Sequence, residues 1–102
     1  MSEKGLGVWQ DTTSYRRGER EVGAPPRCWR LQLGGTRDLA IAVHRHVHYP
    51  KNVWLLTCPD LNLDCIELKN RDPREAQQEA LHYVVNLLEE DLRLVRSALS
   101  QR

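Results

Sequence analysis

The sequence predicts an α+β fold: a four-stranded antiparallel meander with one long C-terminal helix packed on one face. Three observations carry this. Apolar and polar residues alternate from residue 27 to about 47, the period of a strand with one buried face. Turn-forming residues divide residues 27–70 into four short runs. From Pro73 onward the apolar period lengthens to that of a helix.

Residues 1–26 come first and hold no period of either kind. Gly5, Gly7, Gly18, Gly23 and the pair Pro25-Pro26 interrupt them, which predicts a loosely ordered N-terminal arm anchored by Trp9. The domain proper is expected to be a single α+β unit over 27–102. In RCWRLQL, Trp29, Leu31 and Leu33 share one face, while Cys28, Arg30 and Gln32 share the other. A GGT turn at 34–36 makes the hairpin. In LAIAVHRHV, Leu39, Ile41, Val43 and Val47 are the inner set, and His44 and His46, with His48 just beyond, take the outer face. Pro50 interrupts the ladder. VWLLTC is apolar on both faces and is placed centrally. A PDLN turn leads to the short strand LDCIELK. Asp72 is then a good helix N-cap, with Pro73 at the first helical position and Glu75 in capping-box register. Ala76, Ala80, Val84, Leu87, Leu88, Leu92, Val95 and Leu99 form one stripe. Glu75 and Glu79 lead and Arg93, Arg96 and Arg102 follow, as the helix dipole prefers.

A chain of 102 residues with 40% hydrophobic content supports one thin core. Fifteen basic against fourteen acidic residues leave a net charge of +1, which excludes an acidic nucleic-acid mimic and a strongly basic nucleic-acid binder while allowing a local basic patch. No apolar run reaches the length of a membrane span. The N-terminus has no apolar signal segment, and three cysteines without CxxC spacing make no disulfide framework, so a cytoplasmic setting is expected.

His44, His46 and His48 pose the main chemical question. Alternate residues on a strand lie about 6.5–7 Å apart, so two of the three could converge on an ion and all three could not. The expectation is a contact surface rather than a metal centre, with Arg30, His44, His46, His48 and Trp54 as its binding residues. Basic residues at Arg30, Arg37, Arg45, Lys51, Lys69, Arg71 and Arg74, interleaved with Tyr49 and Trp54, allow a nucleic-acid contact on the same side. Asp60 and Asp64 read as turn residues. No residues present a catalytic set, so no cofactor is expected.

From WLLTCPDLNLDCIELKNRDPREAQQEAL onward the order of features resembles the HicB-like antitoxin domain, a partial ribonuclease-H-like strand–strand–strand–helix unit. Pro59, Asp60 and Leu61 match that family's turn, and Asp72, Glu75, Ala76, Ala80 and Leu81 match its helix start. Asn62-Leu63 stand where the family carries Pro-Gly, and the DNA-binding segment that often follows is missing. The resemblance implies a non-catalytic binding module. Small phage accessory or defence-inhibiting proteins share this short, single-domain character.

The expectation is therefore a non-enzymatic protein that sequesters or blocks a protein partner, with a nucleic acid or nucleotide as further possibilities and no membrane. The alternative is a metal-dependent phosphodiester hydrolase using the His44/His46/His48 face. A helix of about 42 Å outruns strands of about 20–24 Å. Leu88, Leu92, Val95 and Leu99 are thus expected to form the interface of a homodimer or larger assembly.

Overall fold

A computed structural model describes residues 7–34 and 39–101. The fold is α+β: a five-stranded antiparallel sheet in the order β1-β2-β3-β4-β5, followed by one helix. The strands are β1 (Trp9–Asp11), β2 (Cys28–Leu33), β3 (Leu39–His44), β4 (Leu55–Cys58) and β5 (Leu63–Glu67). A 3-10 turn, Pro59–Leu61, joins β4 to β5, and α1 spans Pro73–Leu99. Residues 35 and 36 of the expected hairpin turn, together with Arg37 and Arg102, lie outside the described residues.

Four strands fall where the alternation puts them, and the fifth is a correction. Trp9–Asp11, in the stretch expected to be a loose arm, pairs with β2 in the register Trp9↔Leu31, Gln10↔Arg30 and Asp11↔Trp29. Three residues are too few to show a period. The connection from β1 to β2 also folds back on itself. Thr12 N–H donates to the Cys28 carbonyl at 2.9 Å, and the buried Thr13 hydroxyl accepts from the N–H groups of Arg27 (2.8 Å) and Cys28 (3.1 Å). It is an Ω-like loop with closed ends.

The core lies between the sheet and the first half of α1. Leu31, Ile41, Val43, Leu56 and Cys58 point from the strands toward Ala76, Ala80 and Val84 of the helix. Ala76 and Ala80 are fully buried, and their small side chains let the helix backbone approach β3 closely. The helix starts as expected: the Asp72 carboxylate accepts the N–H of Glu75 at 3.1 Å, and Pro73 occupies the first turn.

Three strands are shorter than the periodicity implied: β3, β4 and β5, the last ending at Glu67 instead of Lys69. β3 ends at His44, because the chain then turns: Tyr49 N–H donates to His46 O at 3.0 Å. Val47, expected in the inner set, is 85% exposed as a result. β4 begins at Leu55, and the buried Val53 and Trp54 precede the ladder.

The β4–β5 junction carries two left-handed residues. Asn62 (φ 60°) ends the 3-10 turn with its N–H on the Pro59 carbonyl, a conformation asparagine tolerates better than most residues. Cys65 (φ 50°) sits in a β-bulge, since the pairs Leu56↔Ile66 and Cys58↔Leu63 leave two residues of β5 opposite Thr57 alone.

Beyond Leu87 every described residue of α1 is exposed, and exposure of the apolar stripe rises from 38% at Leu88 to 79% at Leu99. The helix, about 40 Å long, therefore projects past the sheet. The molecule is correspondingly elongated, 63 × 38 × 19 Å, with a radius of gyration of 16.3 Å against about 13 Å for a compact chain of this size.

Candidate functional site

The sheet face away from α1 carries Cys28 and Arg30 of β2, Ala42 and His44 of β3, and Leu55 and Thr57 of β4, as the registers Cys28↔His44, Arg30↔Ala42, Ala42↔Thr57 and His44↔Leu55 require. Arg30 is exposed there and His44 half-buried. Two of the expected surface residues thus share one face.

His44 is held from both sides. Its Nε2 lies 2.7 Å from Thr57 Oγ1 and its Nδ1 3.2 Å from the Arg45 carbonyl. A carbonyl can only accept, so Nδ1 carries a proton, and in the neutral ring Nε2 accepts from the Thr57 hydroxyl. The same hydroxyl accepts the Cys65 N–H at 3.1 Å, a donor that the bulge removes from the ladder. One threonine therefore joins the bulge to the histidine. Thr57→Val keeps the shape but strands a backbone donor and an imidazole nitrogen. A loss of about 1–3 kcal/mol is expected in urea denaturation. Faster hydrogen exchange should localise to the Cys65 amide.

The other expected members lie elsewhere. His46 and His48 follow the end of β3 and sit in the turn, so the three histidines do not line one strand face. Their rings pack at 5.1 Å, with Tyr49 edge-on to His46 at 5.9 Å, and the His48 N–H donates to His46 Nδ1 at 3.2 Å. Among the described residues no group of three or more His, Cys, Asp or Glu side chains is placed to hold a metal ion. Trp54 belongs to the core: it is 1% exposed, its Nε1–H donates to the Arg71 carbonyl at 2.8 Å, and Leu68 N–H donates to its own carbonyl at 2.9 Å. Its position, two residues from Leu56, puts it on the helix side.

A second feature lies beside this face. The Ω-like loop and the β3–β4 connection enclose an open cleft of about 1140 Å³, with Tyr15, Arg16, Glu19 and Arg27 on one wall and Arg45, His46, Tyr49 and Lys51 on the other. Four permanent cations face one carboxylate. That carboxylate is fully engaged: Glu19 takes Arg27 in a fork, Nη1 at 3.0 Å and Nη2 at 3.1 Å, and also accepts the Arg16 N–H. The Arg16 backbone bond first, and the Arg27 guanidinium after it, hold the Glu19 carboxyl below its usual range. Arg45 lies over the Trp54 ring at 4.6 Å, and its buried Nε finds no acceptor.

Arg45, Tyr49 and Lys51 were legible as a basic and aromatic cluster. Tyr15, Arg16, Glu19 and Arg27 were not, because only the folding back of the Ω-like loop brings them across. The basic run YRRGER at 15–20 was the available signal.

Comparison with protein-family models, with curated proteins and with solved structures gave no match. No helix among the described residues is long and apolar enough to cross a membrane.

Proposed function

We propose that the protein is a non-enzymatic binding module that assembles as a two-fold dimer and acts by sequestering or blocking a partner, in the manner of an antitoxin or a phage defence inhibitor. The observation that carries this reading is the helix stripe. The side chains that pack on the sheet (Ala80, Val84) continue on the same face as Leu88, Leu92, Val95 and Leu99, all in solvent. Burying each would contribute roughly 1.5–3 kcal/mol.

A second copy of the same helix is the occupant that its charges favour. Glu89, Glu90 and Asp91 precede Leu92, and Arg93 and Arg96 follow it. Antiparallel pairing about Leu92 sets the acidic segment of each helix against the basic segment of the other. Parallel pairing would align like charges. The Arg93–Glu90 bridge within one helix (2.6 Å) is exposed and can be shared across such an interface.

The order of elements and the Pro59-Asp60-Leu61 turn support the resemblance to the HicB-like antitoxin domain. Asn62 ends that turn in the left-handed region, φ 60°, a departure from the family, whose proline at that position is held to negative φ. The hydrolase alternative has less support, since His44 already uses both ring nitrogens and sits apart from the His46/His48 turn.

Light scattering tests the assembly. The wild type is expected to size as a dimer at tens of micromolar, and Leu92→Glu with Val95→Glu as a monomer with unchanged β-sheet signal. A monomeric wild type, or a double variant of wild-type mass, would refute it.

A further inference from the structure

We infer that the basic cleft between the Ω-like loop and the β3–β4 connection binds the phosphodiester backbone of a single-stranded nucleic acid. This deepens the binding reading by naming a ligand class. It uses a different surface from the helix stripe.

The charges come first. Glu19 neutralises Arg27, and no carboxylate among the described residues forms an ion pair with Arg16, Arg45 or Lys51. Three cations on facing walls of one cleft repel each other, and an anion between them removes that repulsion.

Arg45 sharpens the case. Its guanidinium is stacked on Trp54 and partly withdrawn from water, and its Nε–H has no acceptor. Desolvating an arginine without a counter-charge is costly, and the protein supplies none here. An anionic oxygen on its terminal nitrogens would offset that cost, and the planar fork of arginine matches phosphate geometry.

Size and lining then select the form of the anion. The cleft is about 1140 Å³ and partly open to solvent, above the range of about 300–1000 Å³ for sites that enclose one small molecule. His46 and Tyr49, edge to face at 5.9 Å, give one wall an aromatic surface. A positive groove with an aromatic wall is how proteins hold single strands without reading sequence: the cations follow the backbone and bases stack on the rings. An acidic peptide would satisfy the charges but leave the aromatic wall unused.

The test is fluorescence anisotropy with a labelled single-stranded oligonucleotide of about ten residues, within the site size of such grooves. Three phosphate contacts at about −0.7 each predict a slope of log affinity against log salt of about −2. Arg45→Gln with Lys51→Gln should lower affinity at low salt at least about tenfold and bring the slope to about −0.7. Lys69→Gln, away from the cleft, should change neither. Should Arg45→Gln unfold the chain, Lys51→Gln alone must still reduce the slope by about 0.7.

No binding at low salt, a flat salt response, equal loss in Lys69→Gln, or equally tight binding of a polyglutamate peptide would each overturn the inference. Binding of a nucleoside triphosphate as tightly as the oligonucleotide would reassign the cleft to a single nucleotide and also overturn it. Repeating the titration with Leu92→Glu/Val95→Glu separates the two proposals. Retained binding by a monomer leaves the cleft standing, whatever becomes of the dimer.

Discussion

Trp54→Ala is expected to lower stability by about 3–5 kcal/mol, a large share of the about 5–15 kcal/mol available to a domain of this size. The cause is more than lost volume. Trp54 is the largest fully buried side chain, and it connects three parts of the chain. Its carbonyl accepts Leu68 N–H just after β5, its Nε1–H reaches the Arg71 carbonyl just before α1, and its ring carries Arg45 from the β3–β4 connection. Removing it opens a cavity, takes the donor from the Arg71 carbonyl and releases the segment that aims the helix. Trp54→Phe separates these effects. It keeps most of the volume but loses the bond to Arg71, and should cost about 1–2 kcal/mol in chemical denaturation. A Trp54→Ala variant with a wild-type denaturation midpoint would show that the segment 68–72 is held by other means.

Glu79→Ala is expected to cost about 2 kcal/mol, a drop of about 10 °C in Tm for a domain of this size. Glu79 sits on the second turn of α1 and reaches back over the β5–α1 connection. Its carboxylate accepts Lys69 N–H at 2.9 Å, Asn70 N–H at 2.9 Å and the Asn70 side-chain amide at 2.8 Å. Partial burial pushes its pKa upward. The hydrogen bonds from Lys69 and Asn70 outweigh that and leave it below the ordinary value. The sign follows. A carboxyl whose pKa is lower in the folded chain contributes stability above the unfolded value, about 4.3, and that contribution is lost as pH falls through the folded value. The gap between wild type and Glu79→Ala in urea midpoints should therefore be full at pH 7 and shrink steadily below about pH 4.5. A gap that stays constant down to pH 3 would mean that the charge is not what holds the connection.

Glu79 also shows where reading the sequence stops. In a helical pattern a glutamate near the N-terminus is sufficiently explained by the helix dipole, and nothing local indicates that it closes a loop nine or ten residues away. Trp54 is a second instance. In VWLLTC both faces are apolar, so alternation cannot assign a side. The structure puts Trp54 and Leu56 toward the helix and Leu55 on the opposite face. His46 and His48 are a third. Their alternation with His44 continues the strand pattern, but the turn that ends β3 at His44 depends on contacts that the pattern does not contain.

The sequence by itself determined the α+β class, the meander order, the start and face of α1, and the excess of helix over sheet. Each of these rests on a period, a cap or a length, which are properties of neighbouring residues. Only the tertiary structure decided that Trp9–Asp11 is a strand, that one threonine serves both a bulge and a histidine, and that residues 14–27 cross to face Arg45 and Lys51. Those features depend on groups far apart in the chain meeting in space. A backbone donor without a local partner, or a cation without a local anion, records that need without saying which distant residue will answer it.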